Sequence, residues 1–342
     1  VPTDRGPFRG ALIGAGGVAR QSHYPAFAHG AGVPERLRLA AVVEAAPEVP
    51  DIPGLLRLWD AAGLDAVGPL DFIDVCTPTA SHVEQVLWGL ERGWHVLCEK
   101  PVATTGAEAA RVATAARRAG RVVMPCHQYR FNPVWRKLRE WLDEGRIGRW
   151  HLAEFRTYRL HADPGARAGA VPWRGRRAES RGGVFLDHGT HLLYLLDEVA
   201  GKPADVHAWT GRLRHGSYDV EDTADVLLEY ADGRAATIFV TWAANRRENL
   251  IRFIGEEGTI EWVGGELSLS AACGAEQLDF TAELDKAAYR DWFARLFLEF
   301  ADAMERGEAE RHLNEVAAVA DVLERVYATA AAGRRPPSAG VP

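Results

Sequence analysis

The chain has little lysine. Of its 40 lysines and arginines only Lys100, Lys137, Lys202 and Lys286 are lysine. With a formal net charge of −7 there is no basic surplus, which argues against a dedicated nucleic-acid surface. The preference for arginine reads as genomic compositional bias. Cysteine is also sparse. Cys76, Cys98, Cys126 and Cys273 form no Cys-x-x-Cys pair, so neither a zinc ribbon nor a dithiol redox motif is present. Three of them lie in or at the end of apolar runs, where a free thiol packs as a small hydrophobe. A reduced, cytoplasmic setting is expected. No apolar run is long enough to span a bilayer, and "VPTDRGPFRG" holds no apolar leader core. What the chain does have is 342 residues, 47% hydrophobic and 25% charged, enough for two globular domains with full cores.

The first third alternates short apolar runs with helical stretches. The runs lie in "FRGALIGAGG", "RLRLAAVVEA", "DFIDVCTP", "HVLCEKP" and "RVVMPCH". That pattern predicts βαβ units and a doubly wound parallel sheet buried on both faces. Ser81-x-x-Glu84 and Thr105-x-x-Glu108 have capping-box spacing, and Asn132-Pro133 opens a further helix that stops at Gly145. From about Arg149 to Gly274 the periodicity changes to two, with tight turns such as Asp232-Gly233. An antiparallel meander is expected there, interrupted by one helix, "DHGTHLLYLLDEVAG". Two amphipathic helices, near 289–306 and 312–332, close the chain before a frayed tail. The division expected is residues 1–128 for the parallel-sheet domain, 129–333 for a second α/β domain, and 334–342 for the tail.

Gly14-Ala15-Gly16-Gly17-Val18-Ala19 is a G-x-G-x-x-A loop between a strand and a helix. Gly14 allows the tight turn, Gly16 lets the backbone approach a pyrophosphate, and Ala19 keeps helix and strand close. The helix N-terminus offers free N–H groups to that anion. Glu44, at the end of the second run, can accept both hydroxyls of an adenosine ribose and would repel a 2′-phosphate. Ala45 and Ala46 follow it, so no adjacent arginine holds such a phosphate. NAD is favoured over NADP.

Ligands of an open parallel sheet sit at the carboxyl ends of its strands. Gly14, Glu44, Thr77-Pro78 and Lys100 all fall at such ends. Pro101 biases Lys100 away from helical conformation, and the bond between them is either cis or trans. The plain alternative is a lysine that snorkels out to solvent. A second constellation is "GGVFLDHGTHLLYLL". Asp187 and His191, four residues apart, share a helix face. Asp187-His188-x-x-His191 has a spacing that can hold zinc, but no cysteine or third histidine lies nearby in sequence. Asp187 as a cap and His191 as a core histidine is the other reading.

Together these motifs resemble the Gfo/Idh/MocA oxidoreductases, the group of glucose-fructose oxidoreductase and inositol 2-dehydrogenase. The resemblance also covers "CTPTASH", "HVLCEKPVA", "QYRFNPVW", "EGRIG", Trp173-Arg174, "GGVFLDHGTH" and "FIGEEGTIE". It implies an N-terminal Rossmann domain and a C-terminal α/β domain with an open, mostly antiparallel sheet that pairs with a copy in a homodimer or homotetramer. It implies NAD held by Gly14, Gly16, Gly17, Val18, Ala19 and Glu44, with Cys76, Thr77, Pro78, His82, Glu99 and Lys100 toward the nicotinamide. It implies Lys100, Asp187 and His191 as the catalytic group, and Arg130, Trp173 and Arg174 near the substrate. The departures are a short, proline-interrupted 44–74 stretch, Arg181 where a third glycine is expected, and His188 beside Asp187; the last two are expected to bear on substrate choice.

The activity implied is hydride transfer between nicotinamide and a secondary alcohol or ketone of a sugar, cyclitol or polyol. Either His191 or Lys100 is the base for the hydroxyl proton, with the other stabilising the oxygen. Asp187 positions the substrate or that pair. A non-catalytic NAD-binding regulator and an NAD-assisted glycoside hydrolase are the alternatives. No membrane partner is expected.

Overall fold

The computed structural model describes residues 6–162, 171–272, 274–285 and 289–333. Cys273, Lys286 and the tail expected at 334–342 fall outside them. In chain order the first elements are β1 (Phe8–Ile13), α1 (Tyr24–His29), β2 (Leu37–Val43), β3 (Leu56–Leu58), β4 (Phe72–Val75), α2 (His82–Glu91), β5 (His95–Cys98), α3 (Gly106–Ala119) and β6 (Val123–Pro125). Next come α4 (Pro133–Asp143), β7 (Trp150–Tyr158), α5 (Arg177–Ser180), α6 (Thr190–Ala200), β8 (Asp205–Gly211), β9 (Thr223–Glu229) and β10 (Ala235–Thr241). The chain continues through β11 (Glu248–Gly255), β12 (Gly258–Val263), β13 (Glu266–Ala271), β14 (Gly274–Asp279), α7 (Tyr289–Arg306) and α8 (Glu310–Ala332). Contacts divide the chain into two compact units, Val1–Asn132 with Ala282–Ala317, and Pro133–Thr281 with Ala318–Pro342.

The first unit is a six-stranded parallel sheet in the order β3-β2-β1-β4-β5-β6. Its strands are apolar because both faces are covered. All four residues of β4 are buried, Asp74 among them. Five strands are legible as apolar runs. The sixth, β3, is only three residues long, and Pro47, Pro50 and Pro53 leave no helix between β2 and β3. The capping boxes part company. Thr105 Oγ1 accepts the Glu108 N–H at 3.2 Å, as expected. Ser81 does not cap α2. Its hydroxyl donates to the Pro78 carbonyl and pairs with Thr77 Oγ1, leaving Glu84 to ion-pair with Arg111.

The core on one face of this sheet is aromatic. Phe27 stacks on Phe297 at 4.2 Å between ring centroids, and Phe72 meets Phe300 edge-on. Phe293, Phe297 and Phe300 come from α7, so that helix packs with the first unit, although its place in the chain falls within residues 129–333. The reason is its stripe of phenylalanines, which finds its matching apolar surface on α1 and β4. The first eight residues of α8 also belong to this unit by contact, and the helix then runs into the second unit.

The second unit holds an eight-stranded sheet, β14-β13-β12-β11-β7-β10-β9-β8. All neighbours are antiparallel except β7 and β10. The Asp232-Gly233 turn joins β9 to β10, with Gly233 at φ +83°. One face is covered. Trp135 of α4 packs against Phe155 and Phe253, and residues 190–196 of α6 are all buried. The other face carries half-buried Leu152, Tyr158, Phe239 and Ile254 beside an Arg252 guanidinium paired with Glu154 and Glu261. Among the described residues no helix is long and apolar enough to cross a membrane.

Candidate active site

The carboxyl ends of β1, β2, β4 and β5 place the first group of residues along one sheet edge. Gly14 follows β1 at φ +89°, and a Cβ there would lie 2.9 Å from the Cys76 carbonyl, so only glycine fits. At Gly16 and Gly17 the space a Cβ would fill is open, with no atom within 4 Å. The result is a bare backbone cradle in front of the segment Ala19–His23, which is wound as a π-turn before α1. These features fit a pyrophosphate. Glu44 closes the cradle from β2. Its carboxylate accepts the Ala15 N–H and the Ala46 N–H, each at 2.8 Å. An arginine is nearby after all, because β3 sets Arg57 opposite Val42. Its guanidinium nitrogens donate to the carbonyls of Glu44, Ala46 and Val49 and to Asp51 Oδ1 at 3.0 Å, so the group is already engaged.

After β4 come Cys76, Thr77 and Pro78. Thr77 Oγ1 bonds to Ser81 and Gln85, holding the start of α2. His82 is buried, with Nε2 2.9 Å from the Thr77 carbonyl and Nδ1 2.8 Å from that of Pro101. Burial pulls its pKa below the ordinary value, so the ring is neutral and donates to one carbonyl at a time. It sits between the Thr-Pro turn and the Glu-Lys-Pro turn. The Lys100–Pro101 peptide is cis. Lys100 is half-buried, and its backbone N–H donates to Glu99 Oε2 at 3.2 Å.

One residue in this region was not singled out in the sequence. His23 ends the π-turn and is fully buried, with Nδ1 2.8 Å from Asp74 Oδ2 and Nε2 2.9 Å from Glu99 Oε1. The signal available in the sequence was Asp74 itself, a charge inside a strand that must be buried on both faces. Arg130, expected near the substrate, has a side chain only 10% exposed that is ion-paired with Glu315 of α8 at 2.6 Å.

The second group lies in the other unit. Arg177–Ser180 ends at Arg181, which takes φ +68°, the left-handed conformation that glycine favours; the residue is arginine at a cost of about 1 kcal/mol. Gly183 is indispensable, since a Cβ would lie 1.9 Å from the Glu221 carbonyl oxygen. Phe185–Gly189 is a second π-turn, leading into α6, so Asp187 is inside a turn and not a cap. Asp187 Oδ2 lies 3.4 Å from Arg174 Nε and 3.7 Å from His188 Nε2, and the Arg174 guanidinium stacks on Trp173. His191 Nδ1 is 2.8 Å from the Tyr194 hydroxyl. Trp173, Arg174, Asp187 and His188 therefore form one cluster at the head of α6, with His191 one turn on.

Glu221 braces this cluster from behind. Its Oε1 accepts the Gly183 N–H, the Phe185 N–H and the Tyr327 hydroxyl. Burial raises the Glu221 pKa, opposed by those three donors. Removing the hydroxyl leaves a buried carboxylate short of a donor. Tyr327→Phe is expected to destabilise the protein by about 1–3 kcal/mol, read as a lower midpoint in urea unfolding.

Comparison with known proteins agrees with both halves. A family model described as an oxidoreductase family with an NAD-binding Rossmann fold matches residues 8–127. The GFO/IDH/MocA C-terminal domain matches residues 135–261. A D-glucoside 3-dehydrogenase of Escherichia coli K12 is 30% identical over 268 residues, 72% of this chain and 73% of that protein. A levoglucosan dehydrogenase of Pseudarthrobacter phenanthrenivorans is 29% identical, covering 55% of this chain and 54% of its own. An oxidoreductase from Agrobacterium radiobacter, solved with NAD+, L-tartaric acid and magnesium, superposes with a TM-score of 0.82 at 24% identity over 96% of this chain and 97% of that one.

Proposed function

The chain belongs to the Gfo/Idh/MocA oxidoreductases, an NAD-binding family, and on that premise we propose that it oxidises a ring secondary alcohol of a pyranoside or related polyol, reversibly. The substrate class is taken from the glucoside and levoglucosan dehydrogenases among its relatives. The observation that carries the reading is Lys100, set at the carboxyl end of β5 on the sheet edge that also bears the open Gly16–Gly17 cradle and Glu44. When bound, NAD supplies the hydride acceptor. Gly14, Gly16, Gly17, Val18 and Ala19 hold its pyrophosphate, Glu44 its adenosine ribose, and Cys76, Thr77, Pro78, His82, Glu99 and Lys100 line the nicotinamide end.

Lys100, Asp187 and His191 carry the catalytic roles in this reading. The alcohol O–H proton passes to His191 or Lys100, and the other donates a hydrogen bond to the developing alkoxide. Asp187 orients the substrate, with Arg174 and His188 at its flank and Trp173 as an apolar wall. Arg130, ion-paired with Glu315, is placed near the substrate in this reading. The sheet face of the second unit that bears Leu152, Tyr158, Phe239 and Ile254 is the surface for a homo-oligomer; these half-buried apolar side chains support this.

The test is NADH formation with NAD and a panel of methyl glucosides, levoglucosan and inositols. Turnover of at least one is expected. Sugar cleavage without net NADH would favour the glycosidase alternative, and NAD binding with no turnover of any panel member would favour a regulator. Glu44→Ala is expected to raise KM for NAD about tenfold and to narrow the preference over NADP, measured by steady-state kinetics with each cofactor.

A further inference from the structure

We propose that His23 is the positioning residue of the Glu99-Lys100 segment, acting as a doubly hydrogen-bonded imidazolium clamped between the Asp74 and Glu99 carboxylates. The inference rests on the reading of Lys100 as catalytic. His23 itself touches neither substrate nor cofactor in that reading.

The argument begins with burial. His23 and Asp74 are 0% exposed and Glu99 is 7% exposed. A neutral imidazole has one N–H and would turn a lone pair toward one of the two carboxylates. Each ring nitrogen faces a carboxylate oxygen, at 2.8 and 2.9 Å, and only the protonated ring donates to both. The ring is walled by Phe293 at 4.5 Å and Phe297 at 5.5 Å between centroids. The groups that face it are Asp74 on β4, Cys76 after β4, with Sγ 3.2 Å from Nδ1, Glu99 after β5 and Cys126 after β6. Burial alone would lower the His23 pKa, but the charge of Asp74 and the hydrogen bonds of Asp74 and Glu99 raise it to about 10. Burial pushes both thiols up, so they stay protonated beside it.

The consequence runs through Glu99. One of its oxygens is held by His23, and the other accepts the Lys100 N–H. On the far side of Lys100 the Pro101 carbonyl faces His82. The lysine backbone is thus anchored on both sides, and His23 sets the anchor on the strand side by fixing the Glu99 rotamer. A rival reading of the same atoms is a metal site, since His23, Asp74 and Cys126 bring ligand atoms within 4.8 Å of one another. The ring's two carboxylate bonds already account for both nitrogens without an ion.

The test combines kinetics with the charge state of the ring. His23→Gln is expected to lower kcat about 10- to 100-fold while KM for NAD stays within about twofold. In a Lys100→Ala background the same change is expected to lower kcat no further, because His23 acts through Lys100. Multiplicative losses, or a fall in NAD affinity alone, would overturn the inference. A fully active Lys100→Ala would instead remove the catalytic reading. The charge is read separately in the wild-type protein by nitrogen NMR of labelled histidine at about pH 8, where an unperturbed imidazole is neutral. Two N–H groups on His23 are expected. A neutral ring, or stoichiometric zinc in the purified protein by metal analysis, would overturn the proposal even if His23→Gln failed to fold.

Discussion

Lys100→Ala is expected to lower kcat by about two orders of magnitude or more while leaving the affinity for NAD within about threefold. The residue is one of four lysines in a chain that otherwise uses arginine, and it is held by its backbone. An arginine cannot lose its proton near neutrality and carries a broader head group, so Lys100→Arg is expected to be nearly as damaging as alanine. The split between kcat and cofactor binding matters. The pyrophosphate and ribose contacts proposed for the glycine loop and Glu44 do not depend on the lysine, so a variant that failed to bind NAD would point to a disturbed fold. His191→Ala is expected to fall in the same range. Steady-state kinetics on the sugar identified by the substrate panel, with NAD affinity measured by fluorescence titration, separates these outcomes.

The second large effect is on stability. Asp74→Ala is expected to reduce the free energy of unfolding by about 3–5 kcal/mol, because it leaves the buried His23 imidazolium with one carboxylate instead of two. The effect carries a pH signature. The folded-state pKa of His23 is raised from 6.5 to about 10. The folded state therefore binds more protons than the unfolded state across that interval. The stabilisation is complete below 6.5 and is lost as pH rises toward about 10. Glu99 works at the other end. Burial would raise its pKa, but the His23 hydrogen bond and charge, together with Lys100, lower it from 4.5. Its contribution is present above 4.5 and is lost as pH falls through the lowered value. Removing Asp74 takes away the largest influence raising the His23 pKa, so the alkaline decline in stability should begin at lower pH. Urea unfolding of the wild type and Asp74→Ala, followed from about pH 5 to pH 10, reads both effects. An equal midpoint for the two proteins, or parallel pH curves, would contradict the ion-pair account.

Much of this architecture can be read from the chain because its rules are local. Gly14 at a strand end, the Asp232-Gly233 turn and the Thr105 cap each depend on neighbours a few residues away. What escapes a local reading depends on partners far along the chain. His23 meets Glu99 across 76 residues, and Tyr327 reaches Glu221 across 106. Arg130 pairs with a glutamate of α8 for the same reason. Ser81 has the spacing of a cap, yet the adjacent Pro78 carbonyl and Thr77 hydroxyl compete successfully for its hydroxyl. The two π-turns, Ala19–His23 and Phe185–Gly189, leave no periodic signal because each adds one residue to a single turn. Both carry residues of the proposed chemistry, His23 in one and Asp187 with His188 in the other. The helix α7 shows the limit of reading domains along a chain, since its phenylalanine stripe is matched by α1 and β4, more than 200 residues before it.

The central claim is that a carbon-bound hydrogen of a sugar alcohol leaves as hydride to NAD. Its most direct test incubates the protein with NAD and pyranosides and polyols fully deuterated on carbon, and weighs the cofactor by mass spectrometry. NADH one deuterium heavier than the unlabelled form, formed at least about a hundredfold more slowly with Lys100→Ala, is the predicted result. NADH without deuterium, or substrate turnover with no labelled cofactor at any time, would contradict it.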